Sequence, residues 1–157
     1  MKSHLYHLQI NIDFKNVSFY KNLMEFMGWK IIFEDKNAVG YKSGANGDVW
    51  FIKTGKNKTV DYDAKGVNHI SFRVDKMADV DKVKDHLEKN KVKMLFDTPR
   101  HRPEFSSSEK ETYYQIMFES PDKILFEVVY IGLKNTVEAV NYKKRIDFEV
   151  IAKELGI

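Results

Sequence analysis

The run Gly66-Val67-Asn68-His69-Ile70-Ser71-Phe72-Arg73-Val74-Asp75 alternates strictly, with Ile70, Phe72 and Val74 on one side and His69, Ser71 and Arg73 on the other. Alternation of this kind commits the backbone to a strand with one packed face and one polar face. A helical pattern of about ten residues follows it. The start of the chain repeats the scheme. Leu8, Ile10 and Ile12 alternate with His7, Gln9 and Asn11, and a second helical pattern comes next. Two copies of strand-then-helix, each led by a histidine on its polar face, point to a duplicated module.

The first module, residues 1–54, reads as β-α-β-β-β. A strand over Leu5 to Ile12 is followed by a helix capped by Asn16 or Ser18 and running to about Met27. Tyr20, Leu23, Met24 and Met27 form its buried stripe, and Gly28 stands where a left-handed cap belongs. Strands over Lys30–Glu34, Ala38–Lys42 and Asp48–Lys53 are separated by turn-forming residues. Residues 55–66 are a polar linker. Asp61 and Asp63 lie there without the further ligands and glycine of a calcium loop.

The second module, residues 67–131, has the same order. The strand Val67–Val74 leads to a helix from about Ala78 to Lys89 with Val80, Val83 and Leu87 as its apolar stripe, and Asn90 stops it. A strand is expected at Lys93–Phe96, then a long connection, then a hairpin of Thr112–Glu119 and Ile124–Tyr130. Residues 132–157 are a C-terminal helical extension, with a helix expected over Val137–Leu155. The fold class is α+β, two paired βαβββ modules with mixed sheets.

Net charge is +3 with lysines spread along the chain, which is no basic stripe for nucleic acid. No apolar run approaches the roughly 20 residues needed to cross a membrane, and the N-terminus has no signal-peptide core. Cysteine is absent, so disulfides and thiolate metal sites are excluded and a cytoplasmic location is expected.

Three segments carry a wider likeness: His7 to Tyr20, ending Ser18-Phe19-Tyr20; His69-Ile70-Ser71-Phe72-Arg73-Val74-Asp75; and Pro121-Asp122-Lys123-Ile124-Leu125-Phe126-Glu127. In this order and spacing, over about Leu5 to Tyr130, they resemble the vicinal oxygen chelate superfamily of glyoxalases, extradiol dioxygenases and fosfomycin- and bleomycin-resistance proteins. The resemblance implies two sheets curled around a cavity, with metal ligands on their concave faces. It implies His7, His69 and Glu127 as ligands of a divalent metal, Fe(II), Mn, Zn or Ni. The residues agree with that set, because a carboxylate inside the apolar run Ile124–Val129 is costly to bury unless it is paired, hydrogen-bonded or metal-bound. His4 lies on the apolar side of the alternation, and His86 falls among charged residues on a solvated helix face. The family's four-ligand members take a further carboxylate from the last strand of module one. The centre of that strand, Val49–Lys53, offers none, which argues against a glyoxalase I-type site.

Long loops in compact domains are often functional. This one carries Arg100, His101, Arg102 and Glu104. His101 suits general acid–base work near neutrality, and Arg102 suits an anionic substrate. Alternatively, the arginines of the loop pair with Glu104 and Glu109. Tyr113 and Gln115 fall on the more polar stripe of the next strand, and Arg73 on that of Val67–Val74. The expected roles are therefore His101 and Tyr113 in catalysis, and Arg102, Gln115 and Arg73 in substrate binding.

The function expected is that of a metal-dependent enzyme acting on a small substrate held through adjacent oxygens. Its ligand set is like that of dioxygenases or fosfomycin-resistance enzymes. The alternative is a bleomycin-resistance-like binding protein without chemistry. Open sheet edges and the apolar residues Val137, Val140, Ile146, Phe148, Val150, Ile151 and Leu155 of the extension suggest a homodimer. Whether the modules pair within a chain or between chains is left open.

Overall fold

The computed structural model describes residues 1, 3, 5–44 and 47–134. The C-terminal helix expected from Val137 and the position of His4 lie outside the described residues. The chain divides into two compact units. One is formed by residues up to His69 together with Glu119–Leu125. The other is formed by Ile70–Phe118 and the described residues from Phe126 on.

In the first unit, β1 (His7–Ile12), β2 (Lys30–Glu34), β3 (Ala38–Lys42) and β4 (Asp48–Lys53) make a four-stranded sheet of order β1-β4-β3-β2. β1 runs parallel to β4, while β2–β3 and β3–β4 are antiparallel. The alternation expected for β1 is realised, with Ile10 and Ile12 buried and His7, Gln9 and Asn11 exposed. Helix α1 (Val17–Phe26) covers the apolar face with Tyr20, Leu23 and Met24, packed with Val39, Tyr41 and Phe51. The Tyr20 and Phe51 ring centroids lie 4.5 Å apart. Each fully buried side chain of this kind contributes about 1.5–3 kcal/mol, which outweighs the modest propensity of a ten-residue helix.

The helix starts differently from expectation. Asp13, not Asn16 or Ser18, supplies the side-chain cap. Its carboxylate accepts from Lys15 N–H at 3.2 Å and opens a 3-10 turn, Phe14–Asn16, that feeds α1. Asn16 at the helix N-cap makes no side-chain cap bond, because its backbone is already helical. The exit follows the expectation. Gly28 has φ +83°, Gly28 N–H donates to Glu25 O, and Trp29 N–H donates to Met24 O, which closes the helix.

Across the sheet from α1, Trp50 lies against the backbone of its strand partner Gly40, with the Phe33 ring centroid 5.7 Å from its own. A Cβ at position 40 would stand 2.9 Å from Cε3 and Cζ3 of the indole. Gly40→Ala is therefore expected to destabilise the protein by about 1–3 kcal/mol. Urea unfolding checks this; an unchanged midpoint would mean that the indole moves aside at no cost.

In the second unit, β5 (Ile70–Val74), β6 (Arg100–His101), β7 (Glu111–Glu119) and β8 (Leu125–Leu133) form a sheet of order β5-β8-β7-β6, again mixed. Helix α2 (Met77–Lys89) buries Val80, Val83 and Leu87. Phe126 stacks between Phe72 and Phe118 at centroid distances of 5.9 and 5.8 Å. The strand expected at Lys93–Phe96 does not form. Met94 makes an isolated bridge to Phe118, and the second strand of the module is the two-residue β6 further on. Positive φ at Phe96 and Asp97 turns the chain out of the ladder. The buried Thr98 hydroxyl then takes a strand's place, accepting from Met117 N–H at 3.0 Å and donating to Leu95 O.

The tip of the β7–β8 hairpin belongs to the first unit. Asp122 accepts from Tyr20 Oη at 2.7 Å and from Asp13 N–H at 2.9 Å, and Tyr20 also bonds Ser120 Oγ at 2.9 Å. Among the described residues no helix is long and apolar enough to cross a membrane.

Candidate functional site

The polar face of the second sheet centres on Glu127. The apolar residues Phe126 and Val128 turn one face of β8 to the core, so Glu127 between them projects from the other face. The parallel register sets Ser71 of β5 beside it. Glu127 is only 2% exposed. Tyr113 Oη stands 2.9 and 3.1 Å from its two carboxylate oxygens and donates to them. With its amide turned so that nitrogen faces the carboxylate, Gln115 donates to Glu127 Oε1 and accepts from Arg102 Nη1 at 3.2 Å. Arg102 also donates through Nε to Glu104 and lies over the Phe105 ring, 4.7 Å from its centroid. Phe105 in turn packs edge-on against Tyr113. A buried carboxylate thus accepts from a phenol and is joined through an amide to a guanidinium.

Burial first, and then the hydrogen bond to Glu127, push the Tyr113 phenol up to about 12, while a hydrogen bond with Ser71 opposes the shift. Because the folded value lies above the ordinary value of 10, the neutral phenol is favoured by folding. The stability it contributes is fully present below about pH 10 and is lost as pH rises toward 12. A tyrosinate absorbance titration is expected to show two late-titrating groups near 12, Tyr113 and Tyr114, and Tyr113→Phe to remove one of them and halve that late amplitude. An unchanged late titration in the variant would contradict the buried hydrogen bond.

The expected site residues are divided between places. Tyr113, Gln115, Arg102 and Glu127 come together. Arg73 shares their face of the sheet, but its guanidinium donates to Ile131 O at 2.9 Å. His101 does not join them. It pairs with Tyr114 in β6–β7, its Nδ1 is 2.6 Å from Thr112 Oγ1, and its ring lies against Tyr114. Thr112 and Tyr114 alternate with Tyr113, and Tyr114 reaches Asp81 of α2. His101 is therefore on the helix side of the sheet. The strand's alternation separates it by one residue from Arg102, which faces Glu127.

His7 and His69 belong to the first unit. His7 projects from the exposed face of β1 beside Gln9 and Asn11. His69 is exposed just before β5, with Nδ1 2.8 Å from Asn68 Oδ1. The sequence reading missed Asp48. The parallel register puts it next to His7, and on its far side Lys42 Nζ is 3.5 Å away. It is 7% exposed, and among the described residues its Oδ1 makes no hydrogen bond. Only the pairing of β1 with β4 reveals this neighbour, because 41 positions separate the two residues in the chain. Among the described residues no three His, Asp or Glu side chains stand gathered to hold a metal ion.

The family model of the Glyoxalase/Bleomycin resistance protein/Dioxygenase superfamily matches residues 7–128. No curated protein matches the chain in sequence. Among solved structures, a candidate glyoxalase from Bacillus halodurans is 22% identical with a TM-score of 0.66, over 80% of this chain and 94% of that one. A lactoylglutathione lyase from Agrobacterium tumefaciens is 15% identical with a TM-score of 0.58, over 83% and 95%. The fosfomycin resistance protein FosX from Listeria monocytogenes is 18% identical with a TM-score of 0.57, over 82% and 90%. It was solved as a glutamate-to-glutamine mutant with Mn(II) and a dihydroxypropylphosphonic acid. At these identities the likeness is one of fold.

Proposed function

The chain belongs to the Glyoxalase/Bleomycin resistance protein/Dioxygenase superfamily, and from that membership we propose that it is a metal-dependent enzyme acting on a small oxygenated substrate in the cytoplasm. The observation that carries the proposal is the buried Glu127 carboxylate. Tyr113 and Gln115 donate to its oxygens. A carboxylate buried on the polar face of a sheet is a ligand suited to a divalent cation. His7, His69 and Glu127 are the residues that would hold it, two imidazoles and a carboxylate suited to Fe(II), Mn, Zn or Ni. A divalent ion there would supply Lewis acidity toward adjacent oxygens of the substrate.

The remaining residues take ordinary roles. Tyr113, kept protonated by burial, holds a proton at its hydroxyl and can donate it to a substrate oxygen. Gln115 fixes the carboxylate's orientation. Arg102, with Nη2 outside its bonds to Glu104 and Gln115, presents a donor to an anionic substrate group. Dioxygenation and addition to an epoxide are the reaction types that fit three ligands. His101 has no part in this chemistry.

A second reading has its own support. Glu127 already accepts from Tyr113 and Gln115, which a sequestering protein of the bleomycin-resistance kind would need for stability alone. Metal analysis of protein purified without added metal, followed by calorimetric titration with Fe(II), Mn(II), Zn(II) and Ni(II), decides between them. Stoichiometric binding supports the enzyme. Failure of all four ions leaves the binding protein.

A further inference from the structure

Around Glu127, one charged residue of the sheet face has no role so far: Arg100. Position 100 of β6 stands opposite Gln115 of β7, and in an antiparallel ladder opposite residues project from the same face. Arg102 extends that ladder, donating its N–H to Tyr113 O at 2.7 Å. It lies two residues from Arg100 and so projects from the same face, as its contact with Gln115 at 3.2 Å shows independently. Gln115 therefore has one arginine directly across from it and a second on the diagonal. Their Cα atoms are about 6.5–7 Å apart along the sheet edge. Arg73, also on this face, belongs to the opposite edge strand and is held by Ile131 O.

The two neighbouring cations differ in what they have left to give. Arg102 spends Nε on Glu104 and Nη1 on Gln115, and Phe105 lies under its plane, so Nη2 alone remains. Arg100 is exposed, and among the described residues no hydrogen bond or ion pair holds its guanidinium. Its charge still reaches the pair beside it. The Glu104 carboxyl is held below its ordinary value by the hydrogen bond from Arg102 first, and the charge of Arg100 adds to the effect. Arg102 and Glu104 cancel, and the positive charge of Arg100 is left over. An edge strand gains protection from one such charge, but protection needs no second guanidinium fixed at its side.

We propose that Arg100, together with Nη2 of Arg102, forms a subsite for an oxyanion of the substrate with three terminal oxygens on one centre, as a phosphate monoester has. A carboxylate presents two oxygens in one plane and satisfies a single fork. Two guanidinium groups rooted at different backbone positions need acceptors that point in more than one direction, which a tetrahedral group supplies. The subsite rests on the substrate-binding role given above to Arg102, and it moves the charge to Arg100. Gln115 also sets a length. It joins Arg102 to Glu127 through two hydrogen bonds and one amide, at most roughly 8 Å. A substrate that spans this distance carries its oxyanion a few bonds away from the oxygens held near Glu127.

Calorimetric titration of the full chain with inorganic phosphate tests this, at about 150 mM NaCl so that diffuse surface charge is largely screened. The expected result is saturable binding of one phosphate per chain, with acetate at least about tenfold weaker. Arg100→Gln should weaken phosphate at least about tenfold with unchanged circular dichroism. Arg100→Lys keeps the charge but loses the fork, and should weaken it about threefold to fivefold. Lys36→Gln removes an exposed cation from the turn between β2 and β3 and should change the affinity less than twofold. Phosphate that does not saturate overturns the proposal, and so does an equal effect of Arg100→Gln and Lys36→Gln. Acetate bound as tightly as phosphate overturns the tetrahedral class. A Mn(II) titration of wild type without phosphate keeps the two readings apart. If no metal binds while phosphate depends on Arg100, the metal reading fails and the subsite stands; the reverse result removes the subsite and keeps the metal.

Discussion

Glu127→Gln is expected to weaken divalent-ion binding by at least about 100-fold, equivalent to roughly 2.7 kcal/mol, with the fold intact. The amide has the shape of the carboxylate and keeps one oxygen as acceptor, so Tyr113 retains a partner at 127. What disappears is the charge, along with one of the two acceptors, Oε1, which Gln115 and Tyr113 share, or Oε2, which Tyr113 also reaches. Titration calorimetry with Mn(II) or Zn(II), beside circular dichroism, separates the two roles the carboxylate could have. If Glu127 is there for stability alone, the variant unfolds more readily while wild type and variant bind the ion alike. Equal affinities in the two proteins would remove Glu127 from the metal site.

The second large effect is on stability. Asp122→Ala is expected to cost about 2–3 kcal/mol, lowering the melting temperature by roughly 5–10 °C. Two donors lose their acceptor together: the Asp13 N–H at the entry to α1 and the phenol of Tyr20, which is fully buried. Burial holds that phenol well above its ordinary value, so it cannot escape the loss by ionising near neutrality. Ser120 Oγ remains to it, and this sets the upper limit of the effect. Asp122→Asn, which keeps an acceptor oxygen, should cost about half as much. Thermal scans of the two variants against wild type measure both; equal melting temperatures for alanine and wild type would show that water replaces the carboxylate without loss.

Much of this architecture is legible in the chain because its strands alternate. The exposed and buried positions of β1 and β5 can be read residue by residue, and the Gly28 stop of α1 rests on one conformational fact. Tyr113, Gln115 and Glu127 could be assigned to one face because they lie in long strands whose parity is unbroken. His101 could not. It lies in a loop where no period runs, and a strand of two residues decides which side it takes. The α1 cap was misread because Asp13 competes with two better-placed candidates, and the winner depends on the backbone of Asn16. Asp48 is a neighbour of His7 through strand pairing alone, which local pattern does not encode.

The contact of Trp50 with Gly40 has an optical consequence. The protein holds two tryptophans, and one of them, Trp29, closes α1. Trp50 lies flat against its neighbouring strand, in register with Gln9 and on the side of the sheet from which His7 projects. Its emission therefore reports on the polarity and quenching of that side. With Trp29→Phe as background, the chain carries a single tryptophan, which excitation at the red edge of its absorption selects over the eight tyrosines, and small molecules can be screened against it by light alone, before any reaction is known.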